Sequence, residues 1–270
     1  MVEIGVTGAP FRASTIAAGA AMAAEANGAH AIWYPDVGPG SAAGSGARQV
    51  PVGDGAGDPT DNADPLITAS LALLVARRVR VGILGWDLGD DAVRAARAAA
   101  TLADLAPGRV MLACTGRDSS LIALSDALRS DLDIELAAYG ATPGPAAHIG
   151  WGWIGVGRSA ESMAKTAGDA GVVGPIGIHF SVFVHEDRDL ARRAAAGPQL
   201  GRELVSGDGM VIGAGPDLDA AIDEYVSVGV TRIVIDNVLL HVLPEELESS
   251  QAVIRSCIRT VRLRHRETKA

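Results

Sequence analysis

Short apolar, β-branched runs alternate along the chain with Ala-rich stretches whose apolar positions recur at helical spacing. The runs Val2–Gly8, His30–Pro35, Val79–Gly85, Arg109–Thr115, Ile134–Tyr139, Ile149–Val156, Ile178–His185 and Arg232–Asn237 predict strands. The stretches Ser14–Ala26, Pro65–Arg77, Ala92–Leu105, Leu121–Arg129, Ala160–Ala167, Leu190–Ala195, Leu218–Ser227 and Pro244–Arg264 predict helices. Several strands, VMLAC and RIVI among them, are apolar at nearly every position, as expected when both faces are covered. Strand–helix alternation of this kind predicts βαβ units around a parallel sheet. Eight strands in about 250 residues is the count of a (β/α)8 TIM barrel; the pattern alone leaves a doubly wound sheet open.

The expected organisation is one domain over residues 1–270. Ser14 and Gly28 bracket the first helix, and Pro107–Gly108 stops the third just before its strand. Ala141–His148 is very short for a crossover, so one connection is abbreviated. Taking Gly152–Gly157 as the fifth strand and Val172–Pro175 as the sixth leaves almost no helix before Ile178, so the first assignment is preferred. The irregular stretch Gly38–Asp64, rich in Gly, Ser, Ala and Pro, is a long loop after the second strand, on the catalytic face of a barrel.

Composition narrows the class. With 48% hydrophobic and 20% charged residues and a mean hydropathy of +0.23, the chain is not intrinsically disordered. Aromatics make up only 4%, so Val, Ile, Leu and Ala must fill the core. The net charge is −9, and the one basic cluster, Arg259, Arg262, Arg264, His265 and Arg266, reads as the last turns of a helix. No nucleic-acid partner is expected. Cys114 and Cys257 are too few for a disulfide scaffold or a zinc site, and no metal is expected. The N-terminus lacks the pattern of a signal peptide, no apolar run reaches membrane-spanning length, and the cytoplasm is the expected location.

The strand ends should carry the chemistry in a barrel. They offer no nucleophile elbow, no HExxH and no facial triad. In GVGRSAESMAKTAG a strand runs through Gly155, Gly157, Arg158 and Ser159 into a helix. Glycine lets a ligand approach the backbone, the helix start favours an anion, and Arg158 can fork onto a phosphate. A tight turn with a Ser159 N-cap is the equally weighted alternative. Asp36 ends the second strand, where a loop cap is favoured over a binding or acid–base role. Trp86 and Thr115 stand at strand ends and are candidates to line a planar ring. Cys114 reads as buried filler, because no histidine is adjacent. His30 and His179 fall within strands, where satisfied core imidazoles are favoured; His185, at a strand end, is a weak catalytic candidate beside Asp36.

Taken together, four stretches resemble the bacterial luciferase-like monooxygenase family. AEANGAHAIWYPD (Ala24–Asp36) resembles its second-strand segment, DPLITASLALLVARRVRVG (Asp64–Gly82) the segment leading into its third strand, and AARAAATLADLAPGRVMLACTG (Ala95–Gly116) the one through its fourth. GPDLDAAIDEYVSVGVTRIVI (Gly215–Ile235) resembles its late helix and eighth strand. The resemblance implies a TIM barrel with coenzyme F420, or alternatively FMN, in its mouth. It implies the cofactor phosphate beyond the fifth and sixth strands, Asp36 at the acidic position after strand two, and a small-molecule substrate. It further implies a homodimer through early helices. Hydride transfer or oxygenation is the implied chemistry. The chain departs from the pattern at Val37, where many members carry His, at ACTGRD after the fourth strand, and in lacking a substrate-covering insertion between Gly116 and Gly155. Two other readings stay open: a non-catalytic flavin- or anion-binding barrel, and a cofactor-free lyase or hydrolase.

Overall fold

The computed structural model describes residues 2–7, 14–36, 64–89, 91–128, 132–196, 210–238 and 246–267. In chain order the elements are β1 (Glu3–Thr7), α1 (Ser14–Ala26), β2 (Ala31–Pro35), α2 (Pro65–Val75), β3 (Arg80–Asp87), α3 (Ala92–Leu105), β4 (Val110–Thr115), α4 (Asp118–Ala127) and β5 (Ile134–Gly140). They continue with α5 (Ala146–Ile149), β6 (Gly152–Val156), α6 (Ala160–Ala170), β7 (Ile176–Val184), α7 (Arg188–Ala195), β8 (Val211–Gly213), α8 (Gly215–Ser227), β9 (Arg232–Asn237) and α9 (Leu247–Glu267). All of the Gly38–Asp64 segment except Asp64 lies outside the described residues. So do Gly8, Val37, Arg129 and the expected start of the last helix at Pro244.

Every strand pairing is parallel, and β1 to β7 plus β9 close into one barrel, with β6 pairing β7 and β9 returning to β1. This is the expected (β/α)8 architecture, and the abbreviated crossover is α5, a single turn ended by Gly150. Each of the eight strands read from the sequence is present. The ninth, β8, pairs Val211–Gly213 with Val182–Val184 at the end of β7. Three residues carry too little periodicity to be read as a strand.

Two layers of core follow from the alternation of side chains. The outward faces of the strands pack against the helices in the main cluster, with Ile4, Ile32, Ile83, Leu112, Phe180 and Ile233 fully buried. The inward faces fill the barrel, where Ala31, Trp33, Leu84, Met111, Ala137 and Val234 form a second cluster. One indole takes most of the middle of the barrel. A Cβ at Gly82 would lie 2.2 Å from Trp33 Cε3, and one at Gly5 would lie 2.7 Å from Trp33 Nε1. Two inward glycines on the flanking strands thus make room for one large ring, which lets a chain poor in aromatics fill its barrel.

Below Trp33, at the N-terminal end of the barrel, inward side chains form an ionic ring. Arg80 donates to Glu3 (3.2 Å) and Glu135 (2.6 Å), and Arg232 donates to Glu3 (2.7 Å) and also pairs with Glu135. Arg232 sits 5.8 Å from the Trp33 ring centroid. Burial works to raise the Glu135 carboxyl, but the hydrogen bonds and charges of Arg232 and Arg80 outweigh it and hold Glu135 below the usual range. This polar plug closes the end of the barrel opposite the strand C-termini.

Candidate functional site

The inward positions repeat every second residue, so the barrel can be read upward in layers. On β5 they are Glu135, Ala137 and Tyr139; on β7, Gly177, His179 and Ser181; on β9, Arg232, Val234 and Asp236. The register matches Gly177 with Arg232, His179 with Val234 and Ser181 with Asp236. The ionic ring is therefore the floor at one end, and a second polar layer stands at the other, at the barrel mouth.

In that layer Thr7 Oγ1 donates to Asp236 Oδ1 at 2.7 Å, and Ser181 Oγ lies 3.5 Å from Asp236 Oδ2. Tyr139 reaches across the interior. Its ring edge would meet a Cβ at Gly85 on β3 at 3.2 Å, while its Oη is 2.8 Å from His179 Nδ1 on β7. Both residues are buried, yet His179 Nε2 has no hydrogen-bond partner among the described residues. Burial pushes the His179 imidazole below its usual value, partly opposed by the Asp236 carboxylate. Burial, and then the same carboxylate, push the Tyr139 phenol up.

His185, the histidine predicted at a strand end, is differently placed. His185 Nδ1 accepts from the Asp187 N–H at 2.9 Å, and its Nε2 is 3.0 Å from Glu246 Oε2. Both ring nitrogens are engaged, one at the turn between β7 and α7 and the other with Glu246 just before α9. His30 Nδ1 likewise accepts from the Ile4 N–H at 3.1 Å.

Gly155, Gly157, Arg158 and Ser159 come together where β6 enters α6. Gly157 has φ +56° with open space beside it, and Ser159 Oγ accepts from the Ser162 N–H as N-cap. Gly157 gives its own N–H to His179 O at 3.1 Å, so an anion here would be met by the N–H groups from Arg158 onward. Arg158 Nη1 donates to Ser162 Oγ (2.9 Å) and Thr166 Oγ1 (3.1 Å), which folds the guanidinium along α6, and its carbonyl accepts from the Tyr225 hydroxyl. Glu161, the acidic residue in the first turn of α6, is set against an anion at this end.

Thr115 faces the mouth from β4 and donates to Gly85 O at 3.3 Å. Asp36 lies one position past the inward Pro35, and its Oδ2 accepts from the Asp87 N–H at 3.1 Å. Trp86 follows the irregularity at Gly85, which shifts the β3 register, and its indole is buried in the layer between strands and helices. The structure thus gathers Gly157, Arg158, Ser159 and Thr115 around the mouth, ties Asp36 to the end of β3 and directs Trp86 outward. Gly155 also faces outward, where a Cβ would strike Met163 Sδ of α6. Cys114 is fully buried, and burial pushes its thiol up. Of the inward set Thr7, Tyr139, His179, Ser181 and Asp236, the sequence singled out only His179, and as a satisfied core imidazole. Tyr139 and Asp236 stood at strand ends, and nothing in the sequence paired Tyr139 with His179 until the register brought them together.

Among the described residues no group of three or more His, Cys, Asp or Glu is placed to hold a metal ion, and no helix is long and apolar enough to cross a membrane. No family model matches the sequence, and no curated protein matches it. Solved structures do match in fold. The coenzyme F420 dependent tetrahydromethanopterin reductase from Methanopyrus kandleri aligns at 12% identity and TM-score 0.64, over 91% of this chain and 99% of that one. The monooxygenase RslO1 from Streptomyces bottropensis aligns at 14% identity and TM-score 0.67, over 94% and 98%. The oxygenating constituent of 3,6-diketocamphane monooxygenase from the CAM plasmid of Pseudomonas putida, a type II Baeyer–Villiger monooxygenase solved with FMN, aligns at 10% identity and TM-score 0.66, over 95% and 98%. At these identities the likeness is one of fold: the chain is built on the same (β/α)8 barrel as these proteins.

Proposed function

We propose that the protein is an oxidoreductase of the luciferase-like type, which holds coenzyme F420, or alternatively FMN, in the barrel mouth and acts on a small organic molecule. The observation that carries this reading is the join between cradle and interior. The Gly157 N–H to His179 O bond fixes a helix N-terminus with a flanking arginine directly beside an inward polar layer. That donor set fits a flavin-type nucleotide, with phosphate at one edge and a planar ring over the other. The barrel's likeness to an F420-dependent reductase and an FMN-bound monooxygenase supports it.

Such a cofactor, when bound, supplies a two-electron carrier. The chain's own part is to bind and orient. The N–H groups from Arg158 onward would meet the phosphate, with Gly157 keeping the backbone low, and the Arg158 guanidinium would turn from Ser162 and Thr166 toward it on binding. Gly155 serves instead as the gap into which Met163 of α6 packs. Thr115 and Asp36 stand at the rim where the ring or substrate would lie. The inward layer from Thr7 to Asp236 would face the reacting end.

The exposed apolar residues Ile67 and Leu74 on α2 and Val93 and Leu105 on α3 support a homodimer through these helices. Cys114 and Cys257, both free and buried, fit a reducing compartment, and we place the protein in the cytoplasm.

The test is fluorescence titration of the purified protein with F420 and with FMN, beside its absorption spectrum as purified. Binding of one of them at micromolar concentration is expected. Failure to bind either overturns the reading, and binding without reduction by any added donor favours a non-catalytic cofactor-binding barrel.

A further inference from the structure

We propose that Tyr139 and His179 form an acid–base dyad that exchanges a proton with an O–H group of a ligand seated in the barrel mouth. The inference rests on the reading above that the mouth is a ligand site, and supplies the acid–base group that the strand ends did not show.

Four observations carry it. Tyr139 Oη and His179 Nδ1 are 2.8 Å apart, within range for direct proton transfer. The pair lies inside the barrel just below the Thr7–Ser181–Asp236 layer, where the register puts His179 one inward position short of Ser181. Asp236 is held by the Thr7 hydroxyl at 2.7 Å, so a fixed carboxylate stands near to balance an imidazolium. Lastly, the valence of His179 is open. A histidine kept for structure has its nitrogens engaged, as His185 does with Asp187 and Glu246. His179 Nε2 is buried with no hydrogen-bond partner among the described residues, a costly condition for a group that serves structure alone.

The step balances as a proton transfer. With neutral His179 carrying its proton on Nε2, the Tyr139 phenol donates to Nδ1. As a ligand O–H bond breaks, its proton passes to Tyr139 Oη and the phenol's own proton moves to Nδ1. The dyad gains one proton, the ligand oxygen is left with the electron pair, and the imidazolium faces Asp236. The reverse sequence delivers a proton to a ligand oxygen. The titratable groups facing His179 are Tyr139 from β5 and Asp236 from β9, while its register partners Val156 and Val234 are apolar. Because burial outweighs the carboxylate, the neutral imidazole is favoured and His179 is poised first as the acceptor.

The experiment uses the full chain with Tyr139→Phe and His179→Gln variants, each checked for native circular dichroism. The first measurement is an NMR titration of the His179 imidazole without any cofactor. Reversible protonation below the usual histidine range, with a midpoint displaced in Tyr139→Phe, is expected. A resonance that does not titrate between about pH 4 and 8, or one unmoved by Tyr139→Phe, overturns the dyad. The second compares cofactor affinity with turnover of short-chain alcohols. Both variants should bind F420 or FMN within about twofold of the parent, lose turnover by about 100-fold, and lose one limb of the pH profile. Variant turnover within about threefold of the parent also overturns the dyad. If the parent binds neither cofactor, the functional reading fails separately, and the NMR titration alone decides the dyad.

Discussion

Glu25 and Arg109 grip the same turn from opposite sides. Glu25 Oε2 accepts from the N–H groups of Arg77 (2.8 Å), Arg78 (2.7 Å) and Val79 (3.1 Å), while Arg109 donates to the carbonyls of Leu73, Ala76 and Val79. The turn joins α2 to β3 at the N-terminal end of the barrel, away from the mouth. Asp64 secures the other end of α2, with Oδ1 accepting from the Leu66 and Ile67 N–H groups. Glu25, Asp64 and Arg109 all fall in the segments that resemble the luciferase-like family. Their work is architectural, so that part of the resemblance speaks to the barrel rather than to the chemistry.

The three N–H bonds hold the Glu25 carboxyl at about 2 rather than the usual 4.5. A carboxyl depressed in the folded state adds stability that is present above the unfolded value and lost as the pH falls through the folded one. Glu25→Gln is expected to lower stability at neutral pH by about 1–2 kcal/mol. Urea unfolding should show a shallower pH dependence for the variant than for the parent between about pH 4.5 and 2.

Gly82→Ala drives a methyl group into the Trp33 ring, which the barrel wall cannot release. The expected cost is about 1–3 kcal/mol or more, seen as a lower Tm. Trp33→Ala, which empties the middle of the barrel, should cost about 3–5 kcal/mol. Combining the two should cost less than the sum, because the alanine methyl then enters space the indole has left.

Arg232→Met leaves Glu3 and Glu135 facing only Arg80. Removing one partner of a buried ionic network costs about 3–5 kcal/mol at neutral pH. Glu135, no longer held down by Arg232, should titrate higher in the variant. Its destabilisation is then relieved as the pH falls and the carboxyl protonates, so the deficit measured by denaturant unfolding should narrow toward pH 4.

Arg158→Ala removes a guanidinium that lies along α6 against Ser162 and Thr166, and that would turn back to meet a phosphate at the helix start, but leaves the Gly157 turn. Affinity for F420 or FMN should fall about tenfold, or about 1.4 kcal/mol. The Tm without cofactor should change little. Unchanged affinity for both would place the phosphate elsewhere on the barrel.

Leu74, on α2, is 66% exposed. If α2 and α3 form the contact between two copies, Leu74→Glu should shift sedimentation from a dimer toward a monomer without altering the circular dichroism. A parent that sediments as a monomer at micromolar concentration rejects the dimer outright.

The alternation of apolar runs and helical spacing was enough to predict eight parallel strands in βαβ units, an abbreviated crossover, and the β6–α6 turn at Gly157. These are local properties: periodicity, glycine freedom and helix starts are written over a few neighbouring residues. Closure into a barrel is seen only in the pairings of β6 with β7 and of β9 with β1. The pairing of Tyr139 with His179, 40 positions apart, is not local, and neither is the ring of Glu3, Arg80, Glu135 and Arg232. Which side of a strand faces inward depends on how the barrel closes, and one irregularity at Gly85 was enough to send Trp86 outward. The sequence determined the strands and helices; closure and register made them a barrel and decided which polar residues meet inside it.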